Sequence, residues 1–153
     1  MALPASEPDR GGRVTDEDER PLLVVDGANV VGSVPDGWWR DRRAAAERLR
    51  DALVPLATGG LPADSGAPSW AIGTPLDVVL VVEGAARGID PVPGVRVATA
   101  PASGDDLIAD LAADSRATSP TRPCLVVTAD RELRTRVTTT GAQVTGPRTV
   151  RPR

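Results

Sequence analysis

The segment LLVVDGAN at residues 22–29 decides the fold predicted for this chain. Four large apolar residues follow one another without a break and lead directly into Asp26. A continuous apolar run, unlike an alternating one, is typical of a strand that is buried on both faces of a parallel sheet. A carboxylate placed directly after such a strand is costly to bury unless another group compensates it. The segment therefore predicts a central strand that ends in a candidate functional acid.

Further apolar, β-branched runs predict the remaining strands, at residues 78–82, 95–98 and 125–127, with a weaker run at 142–145. Helical periodicity lies between these runs, over residues 37–54 and 105–116 and after Asp130. Pro55 should end or kink the first of these helices. The order is strand, helix, strand, strand, helix, strand, helix, strand. It predicts an α/β fold, a single three-layer sandwich with a mostly parallel sheet.

The composition shifts at both ends of the predicted domain, which spans residues 21–146. Residues 1–20 are rich in Pro, Gly and acids, so we expect a disordered acidic N-terminal tail. Residues 147–153 are predicted as a basic C-terminal tail. Within the domain, the Gly- and Pro-rich loop at about residues 57–76 is longer than the connections of compact α/β units, so it is either flexible or an insertion.

The composition excludes several kinds of catalytic site. The chain contains no His, Lys, Tyr or Phe, and all 18 basic residues are Arg. The lack of His excludes a Ser-His-Asp triad, and the lack of Lys excludes a Schiff base and a phosphate-binding loop of the kind that uses Lys. The single Cys124 cannot form an intramolecular disulfide, and we expect it to be a small buried apolar residue. An enzyme of this composition is expected to use a divalent cation held by Asp and Glu.

Charge and hydropathy patterning narrow the class of protein further. The net charge of -3 lies in the first 20 residues, where six acids outnumber three Arg, while the other 15 acids and 15 Arg cancel. The acidic balance therefore does not argue against an anionic substrate. No apolar run approaches the roughly 20 residues that span a bilayer, and the first residues lack the layout of a signal peptide. We expect a soluble, cytoplasmic protein without a membrane partner.

Acids follow the predicted strands at the ends where ligands bind in open parallel sheets. Strand by strand along the chain, these acids are Asp26, Glu83, the pair Asp105 and Asp106, and Asp130. Carboxylates that converge on one rim raise one another's pKa unless a cation neutralises them. One or two Mg²⁺ or Mn²⁺ ions, which accept a few carboxylate ligands and keep several waters, would remove this repulsion. We therefore predict all five acids as candidate metal ligands.

Each of these acids also has a purely structural interpretation. Asp130 and the sequence SGDD at residues 103–106 match helix N-caps, and Glu83 opens a turn. Asn29, three residues after Asp26, could orient Asp26 or a metal-bound water, or it could simply favour the turn. The sequence leaves these alternatives open.

Three motifs, taken in this order, resemble the NYN branch of the PIN-like nucleases: DGAN at residues 26–29, GDDLI at 104–108 and TADREL at 128–133. The resemblance covers most of residues 22–145 and implies a PIN-like, Rossmann-like fold. It also implies an acidic cluster that binds Mg²⁺ or Mn²⁺ and hydrolyses RNA phosphodiester bonds by a metal-activated water. The catalytic residues that the resemblance implies are Asp26, Asp105 or Asp106, and Asp130, supported by Asn29 and Thr128.

A polyanionic substrate also needs cations and stacking surfaces near the carboxylates. Arg pairs with phosphates through a planar fork, and Trp offers a face on which an unpaired base can stack. The candidates for substrate binding are Trp38, Arg40, Arg43, Arg87, Thr128, Arg131 and Arg134. The alternative is that the Trp side chains belong to the core and that the Arg side chains, like the basic C-terminal tail, are solvated.

These features together predict a metal-dependent ribonuclease that acts on single-stranded or structured RNA. A metal-carboxylate site could also hydrolyse nucleotides, so a metal-dependent nucleoside triphosphate pyrophosphohydrolase is the alternative enzyme, although the chain lacks the G-x5-E-x7-R-E-x-x-E-E box. A third alternative is a catalytically degenerate PIN-like module that binds RNA or a protein. The oligomeric state stays open, with a homodimer among the alternatives.

Overall fold

The computed structural model describes residues 20–151, in which five strands form one sheet and each described pairing is parallel. The strands are β1 (Leu22–Asp26), β2 (Asp77–Val82), β3 (Val95–Thr99), β4 (Cys124–Val127) and β5 (Gln143–Thr145). Their order across the sheet is β3-β2-β1-β4-β5, so that β1 lies at the centre. The predicted disorder of residues 1–20 falls outside the described residues, apart from Arg20 itself.

The described strands are connected by α-helices and by short 3-10 turns. The helices are α1 (Gly27–Val31), α2 (Arg42–Leu53), α3 (Leu56–Gly59), α4 (Gly104–Thr118) and α5 (Arg131–Thr138). The 3-10 turns are Trp38–Arg40, Ser69–Ala71, Gly84–Ala86 and Pro147–Thr149. No helix within residues 20–151 is long and apolar enough to cross a membrane.

Helices cover both faces of the sheet, and strand residues alternate between the two faces. On one face, Val25 and Leu80 pack in a core that includes residues of α1 and α2. On the other face, Val24 and Val81 pack with residues of α4 and α5. Because both faces are covered, every residue of β1 and β4 is buried, as the continuous apolar runs predict. The structure thus confirms an α/β fold in the form of a three-layer sandwich.

The position of the candidate site follows from the strand order. From β1 the chain proceeds outward to β2 and β3, and it then crosses to β4 and β5 on the other side of β1. Ligands of open α/β sheets bind beyond the carboxyl ends of the strands, at the point where the winding reverses. In this sheet the reversal brings Asp26, at the end of β1, beside Thr128, which follows β4.

Some elements differ from those that the sequence predicts. The expected helix at residues 37–54 is divided into the Trp38–Arg40 turn and α2, because Asp41 interrupts the helix and its side chain caps α2 by accepting from the Ala44 N–H at 3.0 Å. The α2 helix ends at Leu53, two residues before Pro55, in agreement with the expectation. The short α1 helix occupies a stretch where the sequence predicts only a turn.

The Gly- and Pro-rich loop packs against the domain. Within it, Leu61 and Ala71 are buried in the core, and the Leu61 N–H donates to the Ala71 carbonyl at 2.9 Å. Leu61 and Ala71 thus anchor the two sides of the loop. They are ten residues apart and belong to no helical or strand periodicity, so the sequence pattern does not reveal their packing.

The predicted C-terminal tail is part of the domain up to residue 151. Thr149 is buried, and the Arg151 guanidinium donates to the carbonyls of Val30 and Val31 at 3.4 and 3.2 Å. Arg151 also pairs with Asp36. The last described residues therefore hold the end of α1 in place, rather than being free in solvent.

The turn between β1 and α1 predicts a stability effect at Gly27. A Cβ atom at this position would lie 2.5 Å from the Val81 carbonyl oxygen, a backbone atom that cannot easily move. We expect Gly27→Ala to lower the free energy of unfolding by about 1–3 kcal/mol through overpacking, measured by urea denaturation. Gly59→Ala is the matched control because a Cβ there meets nothing within 4 Å; equal stabilities of the two variants would contradict the steric explanation.

Candidate functional site

Asp26 is a buried carboxylate at the end of the central strand. It is 5% exposed, and it accepts hydrogen bonds from the Asn29 N–H at 3.3 Å and from the Thr128 hydroxyl at 2.8 Å. The first bond makes Asp26 the N-cap of α1. Both donors are neutral, so they compensate the burial of a charge only in part.

Thr128 joins Asp26 to the start of α5. Thr128 is completely buried, its hydroxyl donates to Asp26, and the same oxygen accepts from the Asp130 N–H at 3.1 Å. Asp130 in turn accepts from the Leu133 N–H at 3.0 Å, which is the predicted N-cap of α5. Thr128 was predicted among the substrate-binding residues. The structure places it beneath the surface, where its hydroxyl positions Asp26.

Asn29 connects the loops that follow β1 and β4. Its side-chain carbonyl accepts from the Ala129 N–H at 2.8 Å, while its backbone N–H donates to Asp26. The backbone N–H of Asn29 therefore orients Asp26, which is one of the roles that the sequence left open. The Asn29 side chain links the two loops.

Glu83 reaches from the end of β2 to the start of α4. One of its carboxylate oxygens accepts from the Gly104 N–H at 3.1 Å. A Cβ at Gly104 would lie 2.9 Å from that oxygen, so the close approach favours glycine. Ser103 caps α4 by accepting from the Asp105 N–H at 3.1 Å, as expected. The sequence analysis did not identify Gly104 as part of the site; a Gly directly before two acids was the available signal.

The two neighbouring acids of α4 face different surroundings. Asp106 forms an exposed ion pair with Arg136 at 3.1 Å. Burial raises the pKa of Asp105, and the charges of Asp130 and Glu83 raise it further, against a lowering by Arg136. Asp105 is therefore the acid of this pair that belongs to the cluster, and Arg136 is a neighbour that the sequence analysis missed.

The neighbouring carboxylates also act electrostatically on Asp26. Burial raises the pKa of Asp26 to about 6, and the hydrogen bonds from Thr128 and Asn29 lower it. The charges of Asp105 and Glu83 raise the pKa further. A rim with several acids and raised carboxylate pKa values is a surface that would gain from binding a cation.

The donors available at this rim match a hard cation such as Mg²⁺ or Mn²⁺ in chemistry, because they are carboxylate oxygens. In residues 20–151, however, no three side chains of Asp, Glu, Cys or His stand as a preformed metal-binding group. Glu83 and Asp130 each already use one oxygen to accept a backbone N–H. The arrangement fits an ion that takes one or two carboxylates and keeps its waters better than it fits an ion enclosed by protein.

The Trp pair divides between core and surface. Trp38 packs partly buried against the core, whereas Trp39 is 52% exposed. Their rings meet edge to face, with centroids 6.0 Å apart, and the Arg40 guanidinium lies over Trp39 at 5.6 Å. Trp39 is thus the more exposed of the two rings, although the sequence analysis selected Trp38 for substrate binding.

The remaining candidate Arg residues differ in how far they are engaged. Arg43 donates to the carbonyls of Arg87 and Gly88 at 3.0 and 3.3 Å, and Arg87 donates to the Gly84 carbonyl. Arg134 donates to the Thr128 carbonyl at 3.1 Å. Arg131 is exposed. Since a guanidinium has five N–H donors, these internal bonds leave donors for phosphate oxygens.

Solved structures with a similar fold include Rae1 (YacP) from Bacillus subtilis. A single-residue mutant of Rae1 is 18% identical, with a TM-score of 0.63, and the match covers 85% of this chain and 72% of that chain. A second Rae1 structure is 20% identical, with a TM-score of 0.61, and covers 84% and 70%. At this identity the likeness shows a shared fold. No family model and no curated protein sequence matches the chain.

The burial of Asp26 predicts a dependence of stability on pH. Its pKa of about 6, against the ordinary 3.8, means that the folded protein binds this proton more tightly than the unfolded chain does. This carboxyl therefore destabilises the fold by about 3 kcal/mol above pH 6, and the loss is recovered as the pH falls towards 4. In the presence of a chelator, we expect Asp26→Asn to be more stable relative to the wild type at pH 7.5 than at pH 4.5.

Urea denaturation at both pH values measures this difference. Asp114→Asn, an exposed acid on α4, is the matched control. If the difference between Asp26→Asn and the wild type is the same at both pH values, Asp26 does not carry the proposed cost of ionisation.

Proposed function

We propose that this chain is a metal-dependent ribonuclease. The observation on which the proposal rests is the buried Asp26, with its raised pKa, fixed by Thr128 and Asn29 beside Asp105 and Glu83. A buried charge with a strongly perturbed pKa, at the topological reversal of an α/β sheet, is a feature typical of functional sites. The resemblance to NYN-type nucleases and the fold shared with Rae1 support the same proposal.

In this proposal Asp26 and Asp105 hold Mg²⁺ or Mn²⁺, with Glu83 and Asp130 as neighbouring acids. The ion, when bound, would supply a hydroxide near neutral pH and offset charge on the scissile phosphate, which makes a His base unnecessary. Thr128 holds the Asp26 carboxylate at a fixed position, and Asn29 keeps the two loops together. The chain thus prepares an anionic rim that a cation converts into a phosphate-binding surface.

RNA is proposed over a small nucleotide because of the surface around the acids. Trp39 and Arg40 form an exposed aromatic-cation pair, which suits the stacking of unpaired bases and contact with a backbone. Arg87, Arg131 and Arg134 provide further cations near the loops that follow β2 and β4. A polymer can reach several of these groups at once, whereas a single nucleotide cannot.

Asp105→Asn tests the proposed acid cluster. In Mn²⁺, we expect the wild type to cleave labelled single-stranded RNA and Asp105→Asn to lose most of this activity, because a carboxylate ligand is removed. Asp114→Asn, on the same helix, should cleave like the wild type. As a readout without turnover, Mn²⁺ should raise the melting temperature of the wild type more than that of Asp105→Asn.

Nucleoside triphosphates are assayed in parallel. Pyrophosphate release without RNA cleavage would replace the proposal by a nucleotide pyrophosphohydrolase. RNA binding without cleavage and without a Mn²⁺ effect would replace it by a binding module. RNA cleavage that survives Asp105→Asn and Asp26→Asn would place the active site elsewhere.

Thr128→Val tests the positioning of Asp26. Valine has nearly the shape of threonine but cannot donate to Asp26 or accept from Asp130, so we expect a loss of about 10–100-fold in Mn²⁺ affinity or in cleavage. Thr128→Ser keeps the hydroxyl and should restore most of the loss. If valine and serine behave alike, in proteins shown by circular dichroism to be folded, the hydroxyl has no role in the site.

A further inference from the structure

The C-terminal segment at residues 145–151 contacts both of the structures that hold Asp26. On one side, the Thr145 carbonyl accepts from the backbone N–H of Thr128 at 2.9 Å, and the Thr128 hydroxyl donates to Asp26. On the other side, the Arg151 guanidinium donates to carbonyls at the end of α1, the helix that Asp26 caps at its start. One short stretch of chain therefore joins the two neighbours of the buried carboxylate.

We infer that Arg151 is a positioning residue of the candidate site, because it fixes α1 and through α1 holds Asn29 and Asp26 in place. The inference rests on the proposed function and adds the C-terminal segment to the parts of the chain on which metal binding depends. Arg151 acts on the site only through α1, so no contact with metal or RNA is assigned to it.

Arg151 supplies a hydrogen bond that the end of α1 lacks locally. The Val31 carbonyl accepts from Arg151 at 3.2 Å, and no other group within residues 20–151 donates to this oxygen. The Val30 carbonyl, by contrast, also accepts from the N–H and the hydroxyl of Ser33, at 3.1 and 2.6 Å. The last carbonyls of a helix have no partner within the helix, and a cation beside them also complements the helix dipole.

The α1 helix needs such contacts because it has only five residues. A helix of this length is not stable in water without tertiary contacts. Asn29 lies within one turn of the end that Arg151 holds, and it makes two bonds of the site, from its N–H to Asp26 and from the Ala129 N–H to its side chain. Fraying of α1 at that end would therefore loosen both bonds.

The Arg151 side chain is itself held in a fixed position. The Arg151 backbone N–H donates to the Pro147 carbonyl at 2.9 Å, and Val150 packs against the core that includes α1. The guanidinium also pairs with Asp36, and the Arg151 side chain is only 25% exposed. A guanidinium restrained in this way gives up little conformational freedom when it donates to the Val31 carbonyl.

Arg151→Ala tests the inference through metal binding, without turnover. Isothermal titration calorimetry with Mn²⁺ should show affinity about 3–10-fold below that of the wild type, a size found for coupling between a bound ligand and residues that do not touch it. Arg148→Ala is the matched control, since Arg148 is an exposed Arg of the same segment; it should bind Mn²⁺ like the wild type. Arg151→Lys, which can still donate to the Val31 carbonyl, should recover most of the loss.

Amide hydrogen exchange in the metal-free protein separates positioning from a general effect on stability. In Arg151→Ala, we expect the Asn29 and Ala129 amides to exchange about tenfold faster, while amides in the centre of β2 change much less, because the opening is local. Asp36→Asn is a milder variant that keeps Arg151 but removes its ion pair. It should accelerate the same two amides to a smaller extent, so the test does not depend on the folding of Arg151→Ala.

The outcomes separate this inference from the proposed function. Equal Mn²⁺ affinities of Arg151→Ala and Arg148→Ala, in a wild type that binds Mn²⁺ and cleaves RNA, would leave the ribonuclease proposal standing and overturn the inference. A uniform acceleration of exchange across the sheet would also overturn it, because Arg151 would then only stabilise the fold. Selective acceleration at Asn29 and Ala129, in a protein that binds no Mn²⁺, would support the positioning by Arg151 and remove the metal-dependent ribonuclease.

Discussion

The hydrogen bond from the Thr128 hydroxyl to Asp26 is the interaction on which the candidate site depends. It is 2.8 Å long, it is buried, and it links residues 102 positions apart in the chain. Through it the end of the central strand, the loop after β4 and the cap of α5 are joined, since the same hydroxyl accepts from the Asp130 N–H. Removing the hydroxyl would leave one oxygen of the buried Asp26 carboxylate and the Asp130 N–H without this partner, which is costlier than the loss of one bond.

The carboxylates at this rim repel one another electrostatically. The fold buries one acid and brings others near it, and two neutral donors offset only part of the cost at Asp26. Arg136 moderates the field at Asp105 from the exposed side. Structures retain such conflicts mainly where function requires them. The opposite end of the sheet contrasts with this rim, because Asp77 at the start of β2 pairs there with both Arg96 and Arg122.

The sequence predicted the sheet well because continuous apolar runs are a strong signal of buried parallel strands. The acids directly follow these runs, so their position at the strand ends could be predicted together with the strands. The sequence could not predict α1, whose five residues are too few to show periodicity, or the packing of Leu61 and Ala71 from the long Gly- and Pro-rich loop. The sequence also could not predict contacts between loops far apart in the chain. These are the hydrogen bond from Thr128 to Asp26, the link that Asn29 makes to Ala129, and the hydrogen bond from the Gly104 N–H to Glu83.

The separation of Asp26 from Thr128 and Asn29 from Ala129 has a consequence for biosynthesis. Chains are made from the N-terminus, so a nascent chain contains Asp26 long before the hydroxyl that orients it. The central strand also lacks its β4 neighbour until residues 124–127 have been made. A nascent chain that carries Asp26 but not yet Thr128 therefore has the carboxylate without the hydroxyl that fixes it, and the site is completed only after residue 129.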